Sequence, residues 1–323
     1  MKCLVTGGAG FIGSHLCEKL LEMGNAVLCV DQLYTGSLEN IGHIRKNKNF
    51  EFIQENIMNY RALERLTAKC DIIFHLAAAV GVKLIVDDPV GTLTTNVRGT
   101  EILLDLANYN KKKIFIASTS EIYGKNYKKG LEENDDRILG STNRLRWSYS
   151  TSKAVDEYLA FAYHQEKGLE FVIGRFFNTI GPRQTGEYGM VVPRFVKAAL
   201  TNRPLTVYED GSQVRTFTYV TDAVDAVIGL MDEGKCIGEV FNIGSTEPIT
   251  ILDLAKKIID LTGSSSEIQL TPYEKVYGSG FEDMKERIPN IDKIKRFINY
   301  QPKVSLEESL SNIIQFYKAK LKT

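Results

Sequence analysis

The chain has no surplus of either charge: lysine and arginine number 40, and aspartate and glutamate also number 40, in 323 residues. Proteins that hold nucleic acid chiefly through its phosphates carry a basic excess, so nucleic acid is not expected as a partner. Long apolar runs are missing too, which argues against a membrane-spanning helix. Cysteine is sparse. Cys3, Cys17, Cys29, Cys70 and Cys236 are odd in number and form neither a C-x-x-C pair nor a Cys/His cluster. A disulfide frame and a zinc site are therefore not indicated, and buried free thiols are expected. Internal repeats and low-complexity segments are absent. The first residues, "MKCLVTGG", enter a short apolar strand without the features of a secretory signal, which points to the cytoplasm.

What is present is an ordinary globular composition, 43% hydrophobic and 25% charged, long enough for one large α/β unit or two lobes. "KCLVTG" reads as a strand, "FIGSHLCEKLLEMG" as a helix and "AVLCVD" as a second strand. The alternation continues through "FEFIQENI", "YRALERLTA", "CDIIFHLAA", "TLTTNVRGTEILLDLANYN", "KKIFIAS", "VDEYLAFAYHQEKG" and "EFVIGRF". Strands and helices alternating at this spacing predict a doubly wound, Rossmann-like parallel sheet covered on both faces. The last third loses the alternation and predicts a smaller, mixed α/β lobe. The expected division is a dinucleotide-binding domain over 1–174, with a returning segment at about 217–242, and a lobe over 175–323.

The loop "TGGAGFIG" directly follows the first strand and opens the first helix. Gly8, Gly10 and Gly13 spell G-x-G-x-x-G; Gly7, Gly10 and Gly13 spell G-x-x-G-x-x-G, with Phe11 and Ile12 inside the pattern. Glycines at these places allow a tight turn and let backbone amides approach a pyrophosphate at the helix N-terminus. Asp31 ends the second strand, where a carboxylate can accept from an adenosine ribose diol and would repel a 2′-phosphate. NAD is favoured over NADP. Glycine-rich turns also join strands to helices without any ligand, but strand, loop, helix and distal acid occur here together.

Tyr149 and Lys153 are four positions apart in "WSYSTSKAVDEY", so on a helix they share a face. A nearby ammonium favours phenolate and so suits a tyrosine to act as a base near neutral pH. Upstream, "IFIASTSEIYG" begins as a buried strand and ends in Ser118, Thr119, Ser120 and Glu121. In a parallel sheet that polar end is where a ligand lies.

With these motifs in view, the chain resembles an extended short-chain dehydrogenase/reductase acting on nucleotide-diphosphate sugars. The shared features are "TGGAGFIG", Asp31, "HLAA" (75–78), "TTNVRGT", "STSEIYG", Tyr149 with Lys153, "RFFNTIGPR" and "FNIG". The resemblance implies NAD contacts from Gly7, Gly10, Phe11, Ile12, Gly13, Asp31, Asn56, Ile57, Leu76, Ala77, Ala78, Tyr149 and Lys153. One departure is "ENI" at 55–57, where the family usually has Asp before the apolar residue and this chain has Asn56.

The resemblance also implies oxidation of the sugar at C4 to a transient ketone, with homodimers formed through helices packed side by side. Its motifs lie nearest to UDP-glucuronate decarboxylases and UDP-sugar 4-epimerases. Family dehydratases place an acid where Ser120 stands, and a serine hydroxyl is too weak an acid for that elimination. Thr119, Ser120 and Glu121 instead resemble the T-S-E of uronate decarboxylases. "YGSGFEDMKERIP" resembles the decarboxylase pattern Y-G-x-G-x-x-D-x-x-x-R-x-P, which aligns Arg287 as the group meeting the uronate carboxylate. Asn178 and Arg215 are expected at the diphosphate, Val192 and Tyr208 at the base, and no metal is expected. The leading expectation is a UDP-glucuronate decarboxylase forming UDP-xylose. A UDP-sugar 4-epimerase and a non-catalytic NAD-binding protein stay open beside it.

Overall fold

The computed structural model describes residues 1–81, 87–187, 189–277 and 282–322. Alternating apolar strands and amphipathic helices form one seven-stranded, all-parallel sheet. It contains β1 (Lys2–Thr6), β2 (Ala26–Asp31), β3 (Phe50–Gln54), β4 (Ile72–His75), β5 (Lys113–Thr119), β6 (Phe171–Phe176) and the strand Glu239–Ile243. From one edge the order is Glu239–Ile243, β6, β5, β4, β1, β2, β3. The chain winds outward in both directions from β1, so a crevice opens past the carboxyl ends of β1 and β4.

Both faces of the sheet are covered, as its nearly continuous apolar strands require. One core packs helix α1 (Phe11–Glu22) and the helices Val220–Asp232 and Asp292–Ile298 onto the sheet through Leu16, Val224, Val227 and Ile294. The other packs the helices Tyr60–Thr67, Pro89–Tyr109 and Ser148–Lys167 through Leu63, Leu103, Leu106 and Ala160. The Pro89–Tyr109 helix starts earlier than the apolar spacing alone predicts. Asp88 caps it by accepting from Gly91 N–H, and proline occupies its first turn.

The strand β6 runs to Phe176, and Arg175 and Phe176 pair with Ser118 and Thr119. A third core belongs to the smaller lobe, where Val192, Phe195, Val207, Leu254 and Leu310 meet. There Val214–Thr216 lies between Pro248–Thr250, antiparallel to it, and Glu286–Arg287, parallel to it. That last pairing delivers Arg287 to the crevice from far along the chain. Among the described residues no helix is long and apolar enough to cross a membrane.

Candidate active site

A cavity of about 1370 Å³ runs between the sheet's carboxyl edge and the smaller lobe. At its dinucleotide end, Gly7 takes φ +71° and donates to Val30 O at 2.8 Å, turning the chain sharply out of β1. A Cβ on Gly13 would stand 2.1 Å from Gly7 O, so only glycine permits this close approach of helix and loop. Gly10 caps α1 without any side-chain bond, leaving the first amides of the helix open toward the cavity. Asp31 accepts from Ala9 N–H at 3.0 Å and Leu33 N–H at 2.7 Å. Burial raises its carboxyl while those amides oppose the rise. Gly7, Gly10, Phe11, Ile12, Gly13, Asp31, Asn56, Ile57, Leu76, Ala77 and Ala78 all line the cavity. An open helix N-terminus, a glycine cradle with no room for a Cβ and a carboxylate at the end of β2 fit a dinucleotide.

At the other end, β5 delivers Thr119 to the cavity edge, and a tight helical turn, Ser120–Tyr123, carries Ser120 and Glu121. Glu121 accepts from both Arg146 Nη1 and Nη2, at 2.6 and 3.1 Å, and from Arg287 Nη1 at 3.4 Å. Burial alone would raise this carboxyl, but Arg146 and then Arg287 hold it down at about 2. Arg287 also donates to Asn178 Oδ1, and its own pKa falls to about 10, first from burial and then from Arg215. Arg215 donates to Asp283 at 3.0 Å, and Arg146 stands 3.9 Å from the same carboxylate. Three guanidinium groups thus face two carboxylates, which leaves an excess positive charge for an anionic ligand.

Tyr149 lies beside this cluster and faces Thr119. Its phenol is pushed well above the ordinary value by burial, then by Glu121 and Asp156. This departs from the phenolate-favouring neighbour expected from the sequence. The reason is that the Lys153 ammonium pairs with Asp156 Oδ2 at 2.7 Å, and Lys153 does not line the cavity. Among the expected site residues only Lys153 is set back in this way. Thr119, Ser120, Glu121, Tyr149, Asn178, Val192, Tyr208, Arg215 and Arg287 all reach the cavity wall. Tyr208 accepts from Arg194, whose guanidinium also lies over its ring.

Sequence reasoning missed Arg146, Asp156 and Asp283. Arg146 had a signal: it stands three positions before Tyr149, so a helical turn brings both to one side. "FNIG" supplies a brace. Asn242 accepts from Tyr123 at 2.6 Å and donates to Leu131 O at 2.8 Å, tying the Glu239–Ile243 strand to the turn after β5. In the Y-G-x-G segment, residues 278–281 lie outside the described residues.

Sheet order, glycine loop and carboxyl-edge cavity define a dinucleotide-fold protein of the doubly wound class. The chain belongs to the extended short-chain dehydrogenase/reductases, in the family described as GDP-mannose 4,6 dehydratase, whose profile matches residues 4–313. It is similar to a UDP-N-acetyl-alpha-D-glucosaminuronate decarboxylase of Bacillus cytotoxicus, 43% identical over 318 residues and covering 98% of each chain. UDP-glucuronic acid decarboxylase 1 of Arabidopsis thaliana is 35% identical over 323 residues, 99% of this chain and 71% of that one. A solved UDP-glucuronic acid 4-epimerase of Bacillus cereus, in complex with UDP-glucuronic acid and NAD, superposes with TM-score 0.90 at 32% identity. That match covers 99% of this chain and 100% of the other.

Proposed function

We propose that this protein is an NAD-dependent decarboxylase of a UDP-hexuronate, converting UDP-glucuronate, or its 2-acetamido analogue, to the corresponding UDP-pentose. The observation that carries this reading is the Glu121, Arg146 and Arg287 cluster beside Tyr149, in the cavity that also holds the glycine loop. NAD, held by the glycine loop and Asp31, would supply the hydride acceptor for the sugar's C4 and the hydride donor once carbon dioxide has left. Tyr149 takes the C4 hydroxyl proton, with Thr119 orienting the phenol. A ketone at C4 turns the sugar carboxylate into a β-keto acid. Its C5–C6 bond then breaks, with the electron pair passing toward the C4 oxygen, and C5 takes a proton from water, which restores the ketone before C4 is reduced. Arg287 and Arg146 receive the carboxylate and the negative charge that moves through the sugar. Glu121, ionised down to about pH 2, is a fixed anion that aims both guanidinium groups. Asn178 and Arg215 serve the diphosphate, and Val192 and Tyr208 the uracil.

A uronate 4-epimerase is the second reading, favoured by the superposition on the Bacillus cereus enzyme. It would use the same guanidinium groups to hold the carboxylate while the ketosugar turns over. Incubating the protein with NAD and either UDP-glucuronate or UDP-N-acetylglucosaminuronate separates the two. Carbon dioxide and a UDP-pentose are expected; a 4-epimer with all its carbon retained would overturn decarboxylation.

The same reading takes the protein as a homodimer. The Pro89–Tyr109 and Ser148–Lys167 helices pack side by side and expose Val90, Leu93, Tyr158 and Phe161, an apolar face suited to a second copy. Sedimentation equilibrium should return twice 36.3 kDa. All five cysteines are buried and unpaired, which suits the reducing cytoplasm.

A further inference from the structure

Glu282 stands behind the cavity wall, and its carboxylate links three of the segments that build the sugar end. Its Oε2 accepts from Trp147 Nε1 at 2.9 Å and from Lys125 Nζ at 3.1 Å. Trp147 caps the Ser148–Lys167 helix, two positions before Tyr149, and the Arg146 guanidinium lies 5.5 Å over its ring. Lys125 stands two positions after the Ser120–Tyr123 turn that carries Glu121. Glu282 itself leads into Asp283, which accepts from Arg215 at 3.0 Å and from Tyr273 Oη at 2.8 Å, and then into the Glu286–Arg287 strand. None of Glu282, Trp147 and Lys125 lines the cavity, whereas Asp283, Arg146 and Arg287 all do.

A partly exposed ion pair such as Lys125–Glu282 stabilises little. The indole bond differs. Trp147 is 2% exposed, and its N–H, which can only donate, needs an acceptor once it is buried. Strand pairing gives Arg287 modest support, since Glu286–Arg287 meets only Val214 and Arg215. After Arg287 the segment is held by Ile288 O, which accepts from Leu131 N–H at 2.8 Å; before it, Glu282 ties the segment to the Tyr149 helix. We propose that Glu282 and Trp147 are positioning residues: their bond holds Asp283 and Arg287 against Arg146 and Glu121, and so sets the site's preference for a sugar carrying a carboxylate over a neutral one. The proposal rests on the uronate reading above.

The test compares affinity for UDP-glucuronate with affinity for UDP-glucose, by calorimetric titration of the protein loaded with NADH so that neither sugar is oxidised. Wild type should bind the uronate more tightly. Glu282→Ala and Trp147→Phe should each reduce that preference about tenfold, the scale of one hydrogen bond to a charged group, while UDP-glucose affinity stays within about threefold. The double variant should lose no more than either single one, because both remove the same bond. Glu282→Gln, whose amide oxygen still accepts from the indole, should keep the preference. A merely structural role would weaken both sugars alike. Glu282→Ala alters a partly exposed side chain and carries the test by itself if the Trp147 variant does not fold. A preference unchanged or increased in Glu282→Ala, equal loss for both sugars, or losses that multiply in the double variant would overturn the proposal. A wild type without any preference would instead refute the uronate reading, and this proposal would fall with it.

Discussion

The glycine loop and Asp31 present mainly backbone and one carboxylate, all drawn from residues 2–31, whereas the sugar end assembles side chains from five separated segments. At the first end, geometry is enforced sterically: Gly13 has no room for a Cβ, and Gly7 takes a backbone conformation that other residues resist. At the second, geometry is enforced by charge, through Arg146 and Arg287 converging on Glu121. A site made of backbone binds what the whole family binds. One made of opposed charges can be retuned by a single substitution, so the particular reaction is expected to depend on the sugar end.

Three substitutions would break or sharpen this contrast. The largest effect belongs to Tyr149→Phe, which should lower kcat by about 10³-fold, within the range for loss of a general base. Its NAD affinity, read by fluorescence titration, should stay within threefold. Weakened NAD binding would mean that the two ends are not separable.

Glu121→Gln comes next. The fall of this carboxyl from 4.5 to about 2 corresponds to about 3 kcal/mol of stability at neutral pH. Because the folded value is depressed, that contribution is complete above 4.5 and fades as the pH falls toward 2. The gap in urea midpoint between wild type and Glu121→Gln should therefore be largest at pH 7 and visibly smaller at pH 3. A gap independent of pH would deny that the arginines act through charge. The variant should also decarboxylate poorly, since Arg146 and Arg287 lose the anion that aims them.

The smallest effect is expected at the dinucleotide end. Asp31→Asn should weaken NAD binding by about tenfold, or about 1.4 kcal/mol, because the amide keeps one acceptor for the ribose. Its ratio of pentose product to 4-epimer should not change. A changed ratio would place reaction choice partly at the end assigned here to binding alone.

Much of the architecture was legible in the sequence because it is encoded locally. Period-two and period-3.6 patterns mark strands and helices, and the βαβ spacing with its glycine loop predicts the parallel sheet and its binding edge. Site residues carried by such motifs, from Gly7 to Asp31 and from Thr119 to Glu121, reach the cavity together. The segments that meet only in three dimensions were not legible in that way. Arg287 stands 166 positions from Glu121, and no periodicity records their contact.

By itself, then, the sequence determined the doubly wound sheet, the dinucleotide loop and the presence of a tyrosine and a lysine one helical turn apart. Tertiary structure decided what those groups face. It set Lys153 against Asp156 behind the cavity wall and closed Arg146 and Arg287 around Glu121. The physical reason is range. Backbone propensity and steric fit act between neighbours in the chain, while the ionisation of a buried group depends on every charge the fold brings near it.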